Sequence, residues 1–469
     1  MAYQGERSDG KAAVATDAQA AHVAGVERLR ASYRAIPSDA TVRLAKPTSN
    51  LFRARAKTTA KGLDTSGLTG VIAVDPDAKT ADVAGMCTYE DLVAATLPYG
   101  LSPLVVPQLK TITLGGAVTG LGIESASFRN GLPHESVLEL DILTGTGDVI
   151  TASPTQHADL YRAFPNSYGT LGYSVRLKIE LEDVKPFVAL KHLRFHSVAD
   201  LVAEMDRIIE TGGHAGVPVD YLDGVVFGSD ESYLCLGVRT STPGPVSDYT
   251  GQDIYYRSIQ HPDGEKHDRL TIHDYLWRWD TDWFWCSRAF GAQNPTVRRF
   301  WPRRLRRSSF YWKLIGYDQR FDIADRLEKL NGRPPLERVV QDIEVPLGRT
   351  AEFVDWFLAN VPIEPIWLCP LRLRDEGGWP LYPIAPHHTY VNVGFWSSVP
   401  VGSEEGFTNK LIERKVSELD GHKSLYSDAY YSPDEFEALY GGESYKTVKK
   451  TYDPDSRLLD LYAKAVQRK

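Results

Sequence analysis

The sequence predicts an α+β protein of two to three structural units, and three observations lead there. Its 469 residues exceed one ordinary domain, and 42% apolar residues suffice to bury at least two cores. Stretches with helical apolar spacing alternate along the chain with short Val/Ile-rich runs of strand type. A charged turn at residues 183–186 closes a first α+β block before a second begins.

The elements follow in order. Residues 1–20 are polar and Ala-rich and are expected to be disordered; over 22–35, Val23, Val26, Leu29 and Tyr33 share one face of a helix. Residues 70–75 and 81–85 read as a hairpin across the turn Pro76-Asp-Ala-Lys79. Thr88 and Asp91 are spaced as a capping box for a helix that carries Leu92, Val93 and Leu97 and closes at Gly100; a strand at 103–106 follows. The Gly-rich run 113–131 leads into the alternating strand 137–143, and a Gly-Thr-Gly-Asp turn returns the chain at 149–151. A helix at 157–164, a Gly-rich turn at 167–172 and a strand at 173–181 complete a domain over 21–184. Residues 185–420 alternate amphipathic helices, such as 198–210, with strands at 221–226, 233–238 and 389–395, which predicts a second α+β domain. Residues 421–469 are mostly helical and Tyr-rich.

Composition excludes several classes. A net charge of -8 argues against a surface built to neutralise nucleic-acid phosphates. Cys87, Cys235, Cys286 and Cys369 form neither a disulfide framework nor a C-x-x-C pair, so a reducing cytoplasm is expected and no metal site. The start lacks the apolar core of a signal peptide, and no run of about 18 apolar residues occurs.

Gly115, Gly116, Gly120, Gly122, Gly169 and Gly172 are flanked by small or hydroxylated residues, so backbone can approach a ligand closely there. Tight turns at strand ends are the competing explanation. The spacing is not G-x-G-x-x-G, because position 125 is Ser; Walker, H-E-x-x-H and G-x-S-x-G motifs are also absent.

Thr113-Leu-Gly-Gly through Ser125, Ser127 and Gly131, with Asn166-Ser-Tyr-Gly-Thr-Leu-Gly172, resembles the FAD-binding segments of the vanillyl-alcohol-oxidase (PCMH-type) superfamily. The resemblance implies a two-domain fold: an FAD domain, a central α+β cap and a C-terminal segment returning to the flavin. It places Thr48, Ser49 and Asn50 in the first pyrophosphate loop, although that loop usually holds glycines and this one has none. Pro107, Thr113, Thr170 and the glycines join them as implied cofactor contacts. The motifs at 120–127, 340–346, 365–370 and 426–436 are similar to those of the Δ24-sterol reductases, from about residue 40 onward. Within that group the chain is most similar to mycobacterial reductases that convert a 10-methylene fatty acyl chain to its 10-methyl form, the last step to tuberculostearic acid. That likeness implies FAD, NADPH as electron donor, and a lipid substrate supplied by a lipid methyltransferase. Between His22 and His134 no histidine occurs, and Cys87 lies away from the glycine loops, so non-covalent FAD is expected.

Reducing an isolated C=C bond needs an acid as well as a hydride from reduced flavin N5, because no carbonyl delocalises charge. Glu124, inside the glycine segment, is the first candidate, since burial would keep it protonated. Tyr430, Tyr445, Lys449, His387 and His388 are alternatives, and each has an ordinary packing role to set against it.

Six of the ten tryptophans lie between Trp277 and Trp312, in a stretch that holds eight positive charges and no acid from 283 to 317. Arg298, Arg299, Arg303, Arg304, Arg306 and Arg307 among aromatics suit an anionic membrane surface, which would place the enzyme at the inner face of the membrane. A solvated helix, an oligomer contact and pairing with remote acids remain open. Two other functions stay in view: a small-alcohol or sugar flavin oxidase, and a flavin-bearing lipid-binding protein without turnover.

Overall fold

The computed structural model describes residues 5–45, 52–53, 62–321 and 334–469, with side chains from residue 17 onward except at 318–321. The first helix is Gly5–Arg34, so the start expected to be disordered is helical from Gly5. Its alanines, Ala12, Ala13, Ala15, Ala18, Ala20 and Ala21, are the strongest helix formers, and propensity outweighs the missing apolar face. Leu29 is buried against Val42, Leu63, Leu68 and Tyr173, whereas Val23 stays exposed.

The first domain is a six-stranded antiparallel sheet. Its order is Val71–Asp75, Thr80–Ala84, Tyr173–Asp183, Val137–Leu143, Val149–Ala152, and Leu101–Pro103 pairs with the end of the long strand. That long strand alternates as a half-buried strand should: Val175, Leu177, Ile179 and Leu181 are buried, and Arg176 on the other face pairs with Asp82 and Asp141. Thr88 caps the helix Tyr89–Thr96 by accepting the Asp91 N–H, and Gly100 takes φ 70° beyond the following turn. The chain enters its strand at Leu101, two residues earlier than its composition suggests.

After Asp183 the chain changes sheet. Phe187–Phe195 lies in an eight-stranded antiparallel sheet ordered Glu265–Thr271, Phe187–Phe195, Glu231–Thr240, Tyr221–Gly228, Ile366–Arg372, Thr389–Pro400, Leu336–Pro346, His422–Lys423. The helices Val198–Thr211, Thr350–Asn360 and Phe407–Glu418 cover one face. Strand parity assigns the side chains. Ile366 and Leu368 pack under those helices, while Trp367, Cys369 and Leu371 join the core shared with the first domain. By the same parity Val339, Ile343 and Val345 face the helices, and half-buried Asp342 and buried Glu344 take the side of the first domain.

The C-terminal segment ties the two. His422–Lys423 pairs with Leu336–Pro346 at the sheet edge, and the chain then crosses to the first domain. There the Arg457 carbonyl accepts the Val42 N–H (2.7 Å), and Lys449 Nζ donates to the Thr170 carbonyl (2.7 Å). Among the described residues no helix is long and apolar enough to cross a membrane.

Candidate active site

A cavity of about 750 Å³ lies between the two domains, within the range of small-molecule sites. The first domain supplies the glycine segment, Thr113 to Ile123, with Pro107, Tyr168 and Gly169. The second supplies Trp283, Phe284, Cys286, Asp342, Trp367 and Trp396, and the return segment adds Tyr426 and Lys464.

The glycine segment is not the open loop its composition suggests. Thr113 caps a short helix, Leu114–Thr119, by accepting the Gly116 N–H. The Leu114 and Gly115 amides donate to the Cys87 and Gly85 carbonyls, so this helix start has no spare donors for an anion. A Cβ on Gly115 would sit 2.1 Å from Ser174 Oγ, and one on Gly122 2.7 Å from Pro107 Cγ. These two glycines therefore let the cavity wall pack closely on the layer behind it. Beyond the helix, Leu121, Gly122 and Ile123 line the cavity, and their amides have no acceptor among the described residues. Three consecutive free backbone donors beside a cavity call for a polar ligand.

Of the expected cofactor contacts, Pro107, Thr113, Gly115, Gly116, Gly120, Gly122 and Gly169 line the cavity. Ser125, Ser127, Gly131, Thr170 and Gly172 do not; Ser127 Oγ accepts the Glu124 N–H and Thr170 Oγ1 donates to the Ser167 carbonyl, both inside the fold. Thr48, Ser49 and Asn50 lie outside the described residues.

The four expected catalytic residues are placed differently. Glu124 is buried one layer behind the cavity, paired with Arg278 (2.7 Å) and accepting from Gln108 (2.7 Å) and Ser125 (3.0 Å). Arg278 also pairs with Asp223 (2.9 Å) and lies over the Tyr275 ring, 4.0 Å from its centroid. A carboxyl paired with a buried guanidinium locks the glycine segment to the second domain, and Glu124 is not among the residues that line the cavity. His388 is exposed at the start of its strand, with Nδ1 near the Pro386 carbonyl, and His387 beside it is exposed too. Tyr430 packs under Lys410 and Arg468 away from the cavity. Tyr445 is buried, its hydroxyl accepting the Leu461 N–H, and Lys449 is spent on carbonyls and Asp453.

The residues that composition did not flag are Asp342 and Tyr426. Asp342 is the one carboxyl among the described lining residues. Its Oδ1 accepts from Asn392 Nδ2 (2.9 Å), the Tyr426 hydroxyl donates to the same carboxyl, and that hydroxyl accepts from Trp396 Nε1 (2.9 Å). Burial pushes Asp342 up to about 6, against which the two donors act weakly. A strand carrying acids at alternate positions, Asp342 and Glu344, among buried apolar residues was the available signal. Cys286 also lines the cavity; burial pushes its thiol up to about 12, so it is no thiolate nucleophile.

The six arginines expected on one surface are placed in different settings. Arg298 is buried and paired with Asp282 (2.6 Å), and buried Arg306 donates to the Thr250 and Trp301 carbonyls. Arg307 pairs with Glu90 (2.6 Å) and Arg303 with Asp248 (3.2 Å). Of the six, Arg299 and Arg304 are exposed and have no ion pair among the described residues; they lie beside Phe300, which is 78% exposed.

Residues 22–153 match the family described as the FAD binding domain. The chain carries an FAD-binding domain. Its two sheets give the α+β fold of the vanillyl-alcohol-oxidase (PCMH) type. Over a longer span that includes much of that domain, the chain is 25% identical over 410 residues to the Delta(24)-sterol reductases of Rattus norvegicus and Homo sapiens, covering 85% of this chain and 76% of each of those. The Arabidopsis thaliana Delta(24)-sterol reductase is 24% identical over 434 residues, 86% of this chain and 76% of that one. Cytokinin dehydrogenase 7 of Oryza sativa subsp. japonica is 33% identical over only 167 residues, 35% of this chain and 30% of that protein. The cavity fits the cofactor: free amides at 121–123 suit a polar ring edge or phosphate, Arg43, Lys464 and Lys469 line the same space, and Tyr168 offers an apolar face.

Proposed function

We propose that the protein is an FAD-dependent oxidoreductase acting on CH–CH groups, which reduces an isolated C=C bond in a lipid with NADPH as electron donor. The substrate we favour is a 10-methylene fatty acyl chain on phospholipid, made by a lipid methyltransferase and converted here to the 10-methyl chain of tuberculostearic acid. The observation that carries the reading is the second domain's wall. Trp283, Phe284, Trp367 and Trp396 offer aromatic, water-excluding surface interrupted, among the described lining residues, by a single acidic side chain, the half-buried Asp342. Such a wall suits an apolar chain, whereas a sugar or small alcohol would want clustered hydrogen-bonding groups. FAD, when bound, supplies the hydride. The chain's own residues hold the acyl chain against the glycine segment, exclude water, and keep a proton close to the alkene.

A peripheral contact with anionic lipid belongs to the same proposal, narrowed to Arg299, Arg304 and the exposed Val297 and Phe300. The test is anaerobic reduction of the yellow holoprotein by NADPH, followed by addition of methylene-stearoyl phospholipid. Bleaching and then return of colour is expected. Return with a Δ24-unsaturated sterol alone would transfer the proposal to sterols, rapid reoxidation by oxygen alone would favour an oxidase, and no reoxidation by any alkene would defeat it.

A further inference from the structure

We propose that Asp342 is the acid that protonates the double bond, positioned and stabilised by Tyr426 and Asn392. The inference rests on the reductase reading above and adds the identity of the proton donor. Three geometric facts carry it. Asp342 lines the cavity, with the aromatic wall on its own sheet face. It has no cation within ion-pair distance among the described residues, in contrast to buried Glu124, Asp282 and Glu413, which face Arg278, Arg298 and Lys423. Its cross-strand neighbour is Gly394, which pairs with Asp342 on one side and Trp367 on the other. A Cβ at Gly394 would stand 2.5 Å from Asp342 Oδ1 and 2.6 Å from the Trp396 ring, so the missing side chain leaves the carboxyl its room.

A half-buried carboxyl without a cation takes up a proton more readily than a free one, and desolvation pushes this one up to about 6, so a protonated fraction is at hand near neutral pH. In the step, the Asp342 O–H bond breaks as the alkene π pair forms a new C–H bond at the less substituted carbon. The other carbon takes a hydride from the reduced cofactor, so the alkene gains one proton and one hydride. The carboxylate left behind already faces two donors, Asn392 Nδ2 and the Tyr426 hydroxyl, whose bonds strengthen as its charge develops. The carboxylate regains its proton from solvent between turnovers. The titratable groups facing Asp342 are Glu344 on its own strand, Cys369 two strands away, Tyr382, Tyr168 and Tyr426. Burial raises all of them, and the Arg53 cation lies over the Tyr168 ring at 5.2 Å.

The experiment uses the FAD-loaded protein reduced with dithionite, so that the natural donor is irrelevant, and mixes it anaerobically with methylene-stearoyl phospholipid. Asp342→Asn should bind FAD and accept dithionite electrons as wild type does, yet lose reoxidation by the lipid at least about a hundredfold. Gly394→Ala, which crowds the carboxyl without removing it, should slow the same step. A second readout needs no turnover. The infrared band of a protonated carboxyl, taken as wild type minus Asp342→Asn, should vanish with a midpoint near pH 6 and move higher in Tyr426→Phe. Reoxidation of Asp342→Asn within a few-fold of wild type, or a difference spectrum with no titrating carboxyl, overturns the assignment while leaving the reductase reading intact. Wild-type protein that no lipid alkene reoxidises overturns both.

Discussion

Arg278→Met is the sharpest test of how the two domains are held together. The guanidinium is fully buried between Glu124 of the glycine segment and Asp223 of the second domain, at 2.7 and 2.9 Å. Its removal leaves two buried carboxylates facing only neutral donors: Gln108 and Ser125 for Glu124, and the Trp367 indole (3.2 Å) for Asp223. Breaking a buried pair in this way costs about 3–5 kcal/mol. Loss of the contact over the Tyr275 ring, at 4.0 Å, adds a desolvated cation–π term of about 2 kcal/mol and places the expected loss toward the top of that range. The deficit should narrow as pH falls, because protonation relieves the uncompensated negative charge. Urea unfolding followed by tryptophan fluorescence in FAD-loaded protein measures it. Adding Glu124→Gln and Asp223→Asn to Arg278→Met should recover more than half of the loss. A single-variant loss below about 1 kcal/mol, or a loss independent of pH, would refute the view that this ion cluster joins the domains.

Three further outcomes are expected. Asp342 has a folded pKa above its unfolded value, so its protonated form is favoured in the fold and stability falls as pH rises; moving from 3.8 to about 6 corresponds to roughly 3 kcal/mol lost across that window. Asp342→Asn should remove this decline, and equal pH slopes in chemical denaturation would contradict it. Acid precipitation should release yellow FAD into the supernatant, since Cys286 is the one cysteine among the described lining residues and is held as a thiol; a coloured pellet would mean a covalent flavin. In vesicle flotation with anionic phospholipid, Phe300→Ser with Arg299→Glu and Arg304→Glu should lower binding, whereas equal flotation of both proteins would remove the membrane contact.

Local chemistry was legible where the determining residues are neighbours. The hairpin at 71–84, the Thr88 cap and the strand Val137–Leu143 follow from period, capping and turn residues within a few positions of one another. The change of sheet after Asp183 is likewise marked by local charge and Pro186. Roles that depend on distant partners were not legible. Glu124 reads as a free acid until Arg278, 154 positions away, is brought to it. The arginines at 298–307 look like a charged surface until Asp282, Asp248 and Glu90 claim three of them. Asp342 and Tyr426 reach the cavity through strand parity and a chain crossing, which no window of local sequence encodes. The helix Leu114–Thr119 was hidden by its own glycines, whose low helix propensity is overridden by a threonine cap and close packing on Gly85 and Ser174.

The strand His422–Lys423 and the crossing after it carry a consequence for how the protein matures and how it can be re-engineered. Tyr426, Leu459, Lys464 and Lys469 close walls that all the earlier residues leave open. A nascent chain stopped short of residue 422 therefore has both sheets nearly complete but lacks four of the residues that line the cavity. Chimeras that exchange the second domain at residues 183–186 must carry their own tail with them, because the sheet edge and the chamber are stitched by the same forty-eight residues, 422–469.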